Sequence, residues 1–205
     1  MNIYSKYFLP KIIDWACSQK PVIKQREKVI PQAQGNVFEI GIGSGLNLPF
    51  YSQDKVRHLT AIDPSVEIWQ KNKVNTQDLA FDFEFIKAFA EDIPTDNNSF
   101  DTVVITYTLC TIPDTQKALE EIRRVLKTNG KLLFCEHGKA PGIAIQKWQN
   151  RINPIWKYIG GGCNLNRDIP SLIKDSGFKI AQLDSMYIPG WKPASFNYWG
   201  TAKIG

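Results

Sequence analysis

The residues best placed to do chemistry are a carboxylate and three glycines closing an apolar run, Val37-Phe-Glu-Ile-Gly-Ile-Gly-Ser-Gly45. Gly41, Gly43 and Gly45 would bare the backbone where a strand of a parallel sheet ends, a surface against which a nucleoside-bearing ligand can lie. A dinucleotide turn spaces its glycines G-x-G-x-x-G, the third one admitting close packing of a helix whose N-terminus faces a pyrophosphate. Leu46 occupies that third position here. Glu39, just upstream, would repel a pyrophosphate and suits a cationic amino acid group; the plainer alternative is a strand-end carboxylate held by nearby backbone. Asp63 closes the next apolar run and is followed by Pro64, so its carboxylate is placed either to accept from both hydroxyls of a ribose or simply to begin a turn.

These groups need a scaffold, and the chain alternates accordingly. Strand-like runs at 36–40, 58–62, 83–88, 101–107 and 131–135 are separated by helical stretches beginning near Leu46, from Ser65 to about Asn75, and from 114 to 127. Asn129-Gly130 is expected to stop the last of these. Ala118, Leu119, Ile122, Val125 and Leu126 fall on one face of it. This alternation predicts an α/β fold, a parallel sheet with helices on both faces. The last third differs. A tryptophan-bearing helix over 146–158, a glycine turn and a short helix ended by Gly177 lead to two strand-like runs, 178–188 and 195–204, most simply an antiparallel hairpin. Residues 2–34 read as amphipathic helix, with Tyr4, Tyr7, Phe8, Ile12, Ile13 and Trp15 among lysines, broken by Pro10, Pro21 and Pro31. The chain therefore divides into a helical cap, 1–34, and one α/β domain, 35–205.

The glycine run resembles the first motif of class I S-adenosylmethionine-dependent methyltransferases, and Ala90-Glu91-Asp92-Ile93-Pro94 with the following Asn98-Ser-Phe-Asp101 resembles the segments that flank the adenine in them. The resemblance implies a Rossmann-like seven-stranded sheet, mostly parallel, with S-adenosyl-L-methionine as cofactor. It places Glu39 near the methionyl ammonium and Asp63 with Pro64 at the ribose; Asn47 either reaches the cofactor carboxylate or is simply a polar surface residue. A backbone amide at Ala90 or Glu91, with one carboxylate, would orient the adenine. Many relatives carry Asp before that alanine; Phe89 stands there, which moves acceptance from the adenine amine to Glu91 or Asp92. Thr106 and Tyr107, ending the fourth strand, are expected to line the pocket where the methyl is presented.

Three further stretches resemble the methyltransferase-like group that contains thiol S-methyltransferases: Asp101 to Ile112, Glu121 to His137, and Gly161-Gly-Cys-Asn-Leu-Asn-Arg-Asp168. This implies transfer to a small lipophilic acceptor, a thiol first, with quinone-ring carbon or phospholipid amine as the alternative. A nicotinamide oxidoreductase and a non-catalytic nucleoside-binding module are the competing classes. His137 is the candidate base for a thiol, against the alternative that its ring holds neighbouring loops. Arg167 and Asp168 either shape the acceptor pocket or, for Asp168, cap the helix that begins at Ile169. Cys163 reads as structural. The Asn-Pro-Pro-Tyr string that receives a nucleobase amine is missing from the fourth strand, so DNA is not expected as a partner and RNA is disfavoured.

Composition fits one soluble domain of 205 residues, 43% hydrophobic and 22% charged. Cysteines 17, 110, 135 and 163 are far apart with no zinc-finger spacing, so reduced thiols and no metal centre are expected. There is no long apolar run and no basic-then-apolar leader pattern, so the chain is expected in the cytoplasm. Charge is uneven: net +4 over 1–35, −5 over 36–136 and +6 over 137–205. The acidic middle suits a sulfonium, and the basic flanks allow peripheral contact of the N-terminal segment with an anionic membrane surface.

Overall fold

A computed structural model describes residues 8–205. Tyr4 and Tyr7 of the amphipathic stretch lie outside the described residues. Seven strands form one sheet in the order β3-β2-β1-β4-β5-β7-β6. They are β1 Gly35–Ile40, β2 Val56–Ile62, β3 Asp82–Ile86, β4 Phe100–Thr106, β5 Leu126–His137, β6 Phe178–Tyr187 and β7 Phe196–Ile204. The first five are mutually parallel, whereas β7 inserts antiparallel between β5 and β6. The chain order reverses between β1 and β4, and a ligand crevice opens at the carboxyl ends there.

The helices are α1 Leu9–Cys17, α2 Lys20–Val29, α3 Val66–Trp69, α4 Thr115–Val125, α5 Ile143–Ile159 and α6 Ile169–Asp175. Two buried clusters cover the two faces of the sheet. One joins Phe38, Ile105 and Phe134 to Leu119 and Ile122 of α4 and Ile169 and Ile173 of α6. The other joins Val37, Leu59, Val104 and Leu133 to Val29 and Ile30 at the end of α2. Strand residues alternate between them, as the twofold repeat of a strand buried on both sides requires. Proline marks the helix starts in the N-terminal segment: Pro10 and Pro21 sit in the first turns of α1 and α2, where the missing N–H has no intrahelical acceptor to lose.

Four expectations need correction. No α-helix follows the glycine run; a short 3-10 turn, Leu48–Phe50, stands there, because Pro49 lacks a donor and Asn47 and Tyr51 are drawn inward to Glu39. The helix after Ser65 has only one turn, although Ser65 caps it by accepting from Ile68 N–H at 3.2 Å. Asn72 then competes for the backbone, accepting from Val74 N–H and donating to Val74 C=O. Asn129-Gly130 does not stop α4, which ends at Val125; both lie within β5, in an irregular stretch between the Phe100–Leu126 and Thr102–Lys131 pairings. The third strand ends at Ile86, two residues early. Elsewhere the expected elements stand with small shifts of their ends, and Asp168 caps α6 by accepting from Ser171 N–H.

Candidate active site

A cavity of about 630 Å³ opens over the β1 and β4 termini. Its floor is Ile40-Gly41-Ile42-Gly43-Ser44 and Thr106-Tyr107-Thr108; Asp63, Pro64 and Ser65 form one side, and 87–91 another. Gly41 (φ +73°) is required for packing, since a Cβ there would lie 2.2 Å from Thr108 Oγ1. Gly43 (φ +56°) is different: a Cβ would meet nothing closer than Ile68 at 3.7 Å, so its bare face belongs to the cavity.

Asp63 is 8% exposed. Its Oδ2 accepts from Gly43 N–H at 2.9 Å and its Oδ1 from Ser65 N–H at 2.8 Å, which fixes the carboxylate across the glycine turn. A carboxylate has about four acceptor sites, so two remain for a ligand. Burial raises its pKa, opposed by the two amides. Glu91 lines the cavity and accepts from Asp114 N–H at 3.3 Å; Ala90 also lines it, while Asp92 is exposed and turned out of the wall.

Glu39 and Asn47 do not line the cavity. They lie behind its floor, 1% exposed each, in a network the sequence did not reveal. Glu39 accepts from Asn47 Nδ2 at 2.8 Å and from Tyr51 O–H at 2.7 Å. Arg26 donates to Asn47 Oδ1 at 2.8 Å and to Thr106 Oγ1 at 2.7 Å. Burial pushes the Glu39 carboxyl up, and the Tyr51 and Asn47 hydrogen bonds with the nearby Arg26 charge pull it back. Arg26, from α2, is 5% exposed, faces the cavity, lies 5.0 Å from the Tyr107 ring centroid and keeps its Nε buried without a partner. A lone arginine in a lysine-rich helix carries no spacing signal, so only the fold finds it. Tyr107 has φ +52°, and its hydroxyl donates to Asn197 at 2.6 Å.

The cap closes over this floor. Leu9, Pro10, Ile13, Asp14 and Cys17 on one face of α1 line the cavity, and Ser44 donates to Asp14. The opposite face presents Phe8, Ile12 and Trp15 to solvent. Among the described residues of the wall stand four carboxylates, Asp14, Asp63, Glu67 and Glu91, against two cations, Arg26 and Lys87. A net acidic cleft attracts a cation and disfavours phosphates.

His137 stands behind the wall, not in it. Its Nε2 is 3.1 Å from Cys163 Sγ and its Nδ1 is buried without a partner. Trp156 Nε1–H donates to the same sulfur at 3.3 Å, and Cys110 Sγ lies 3.9 Å away. The Cys110 contact, against the opposing effect of burial, and then His137 draw the Cys163 thiol well down. Glu136, fully buried, accepts from the amides of Thr108, Leu109 and Cys110 at 2.7, 2.9 and 3.3 Å and so shapes the loop after β4. Arg167 donates to Leu109 C=O.

The Arg26 network sets an energetic expectation. Arg26→Met leaves Asn47 Oδ1 without that donor and Glu39 without its nearby cation, so unfolding free energy should fall by about 3 kcal/mol. Adding Glu39→Gln should restore about 1 kcal/mol or more, the coupling of groups in one network. Urea unfolding of the two single variants and the double variant measures it; strict additivity would separate the two residues.

Residues 38–134 match the methyltransferase domain family. The thiol S-methyltransferase TMT1B of Homo sapiens is 31% identical over 208 residues, covering 95% of this chain and 84% of that protein. The Rattus norvegicus protein of the same name is 33% identical, covering 79% of this chain and 65% of its own length. The ubiquinone/menaquinone C-methyltransferase UbiE of Rickettsia bellii is 33% identical over 64% of this chain and 58% of its own. A methyltransferase from Haloferax volcanii, solved with the Trm112 activator, superposes with a TM-score of 0.75 at 17% identity, covering 100% of this chain and 99% of that one, which is a likeness of fold. With a 3-10 turn after its glycines and relatives at 31% and 33% identity that cover 95% and 79% of it, the chain belongs to the class I S-adenosylmethionine-dependent methyltransferases, in the group that includes the thiol S-methyltransferases.

Proposed function

We propose that the enzyme methylates a small lipophilic thiol, with the cofactor seated in the β1–β4 cavity. The observation that carries the seat is Asp63, buried, fixed by two backbone amides across the glycine turn, and retaining acceptor capacity on the cavity side. Its neighbours fit the rest of S-adenosylmethionine. Gly43 gives close approach, Ala90 and Glu91 stand at the adenine end, and Arg26, with an unpartnered Nε, suits the methionyl carboxylate. Glu39 and Asn47 act through Arg26 and Thr106 by holding them in place. When bound, the cofactor supplies an electrophilic methyl group on sulfur. The chain's own contribution is to align an acceptor against that methyl and keep water out, and α1 with Tyr107, Thr111 and Pro113 closes the acceptor side.

No histidine lines the cavity, so the wall holds no imidazole to take the acceptor's proton. A thiol of ordinary pKa near ~8.5 is a few per cent ionised at neutral pH and is nucleophilic in that form. A thiol acceptor is favoured because its ionised fraction is nucleophilic without help from a base, and because the human and rat relatives at 31% and 33% identity are thiol S-methyltransferases. UbiE supports the second reading, a quinone-ring carbon.

A membrane surface is the partner we propose for the outer face of the cap. Trp15 is 67% exposed on α1, and Trp148, Ile155 and Tyr158 are 56%, 70% and 76% exposed on α5. The two helices approach each other, since a Cβ on Gly161 would strike Leu9 at 2.7 Å. Exposed Lys11, Lys147, Arg151 and Lys157 flank these apolar side chains, the arrangement of an interfacial rather than a spanning helix. Among the described residues no helix is long and apolar enough to cross a membrane.

Three measurements follow. Asp63→Ala should weaken S-adenosylhomocysteine binding by about 1–3 kcal/mol in calorimetry, the cost of leaving polar partners unpaired; unchanged affinity removes Asp63 from the site. Methyl turnover should appear with an alkyl thiol and rise about tenfold per pH unit below the thiol's pKa, as its thiolate fraction does. Turnover of a quinone precursor beside an inert thiol sinks the acceptor assignment. Sedimentation with vesicles containing phosphatidylserine should fall for Trp15→Ser and Trp148→Ser, and equal binding by the variants removes this face from the contact.

A further inference from the structure

We infer that Cys110, His137 and Cys163 form a three-ligand site for a thiophilic divalent cation of the zinc class, set behind the wall of the cavity. The two sulfurs and one imidazole nitrogen all lie within 4.8 Å of one another. Zinc–sulfur bonds of about 2.3 Å and zinc–nitrogen bonds of about 2.0 Å at tetrahedral angles separate two sulfurs by roughly 3.8 Å and sulfur from nitrogen by roughly 3.5 Å. The observed separations are 3.9 Å between the sulfurs and 3.1 Å from Cys163 Sγ to His137 Nε2. The third pair, Cys110 Sγ and the imidazole nitrogen, lies within 4.8 Å, so on binding the ring withdraws from Cys163 by a few tenths of an ångström and moves toward Cys110 by up to about 1 Å.

The surroundings are built for it. The ligands come from three places: the loop after β4, the end of β5, and the turn after α5. The cysteine-bearing segments are tied together, Asn164 N–H and Nδ2 both donating to Cys110 C=O at 2.9 and 3.0 Å. Glu136 anchors the Cys110 amide from the other side, and Trp156 Nε1–H donates to Cys163 Sγ, an outer hydrogen bond of the kind that orients a metal ligand. Two thiolates also neutralise a dication, which suits a site whose Cys110 is 2% exposed.

Because the donors are dispersed at 110, 137 and 163, no C-x-x-C spacing announces them. Thr111 and Gly161, close in sequence to the two cysteines, line the cavity, so the cation would stiffen the acceptor wall without touching the methyl donor. This inference does not depend on which acceptor is methylated.

The test uses the whole protein, reduced and stripped with EDTA, then titrated with cobalt(II). One equivalent should bind with thiolate-to-metal charge-transfer absorption, be displaced by zinc, and be lost in Cys110→Ser and in Cys163→Ser but kept in Cys17→Ser. Zinc should also raise the melting temperature of the unmutated protein, a readout independent of variant folding. Cobalt bound without the charge-transfer band, an unchanged band in either ligand variant, or no zinc-dependent shift in melting overturns the site. So does formation of a Cys110–Cys163 disulfide when the zinc-saturated reduced protein is exposed to air, dioxygen taking the two electrons, for then the two sulfurs are a redox pair.

Discussion

The cavity floor depends on one buried carboxylate and the groups that make its burial tolerable. Glu39 sits near the end of β1, enclosed, where an unpaired charge would be prohibitive. Asn47 and Tyr51 meet it directly, and Arg26 closes the network through Asn47 and Thr106. Four segments are thereby tied to one point: α2, β1, the turn after the glycines, and the end of β4. The positive-φ glycines would still permit the turn without that tie, but only the Asp63 and Asp14 contacts to Gly43 and Ser44 and the backbone bonds to Ile62 would then hold it. The same network explains why the chain after Gly45 does not coil into a helix. Its polar side chains are committed inward, and Pro49 follows.

That network also marks where sequence reading succeeds and where it stops. The sheet was legible because each parallel strand is a short apolar run with a period of two, and because glycine at 41, 43 and 45 has few reasons to recur except a left-handed turn. Asp63 was legible because it stands at a strand end at the distance the turn predicts. Arg26 was invisible: its neighbours are other polar residues, and its partners are 21 and 80 positions away. The extent of α3 was misread because helix propensity ignores the competing hydrogen bonds of Asn72. Asn129-Gly130 misled in a similar way, since a stop signal for a helix is also compatible with an irregular strand edge, and pairing across β4 and β5 decided between them. Glu39 and Asn47 stand one layer behind the place expected, because their side chains turn into the buried network with Tyr51, Arg26 and Thr106.

The cap adds what the sheet cannot supply. An open crevice at strand ends would leave the reacting groups in water, whereas α1 lays an apolar face, Leu9, Pro10 and Ile13, across the top and anchors itself through Asp14 to Ser44 of the glycine turn. Closing the site in this way couples the cofactor turn to the cap. A ligand that displaced Ser44 would disturb the position of α1, and one that filled the cavity beneath Leu9 would favour it closed. The opposite face of α1 presents Phe8, Ile12 and Trp15 to solvent. An amphipathic helix normally buries one stripe and wets the other; here both stripes carry large hydrophobic side chains.

Charge then accounts for the chemistry this cavity selects. A nicotinamide dinucleotide brings phosphates to a glycine turn and needs a helix N-terminus to receive them, and here that place is a 3-10 turn of three residues, Leu48–Phe50. The cavity wall instead gathers four carboxylates, with Arg26 placed among them as one of two cations. That distribution matches a ligand that carries its own positive charge along with one carboxylate, which is the charge pattern of a methionyl sulfonium. The preference therefore comes from the absence of an anion-binding helix combined with an acidic lining, two features that reinforce each other because a carboxylate beside a phosphate site would defeat it.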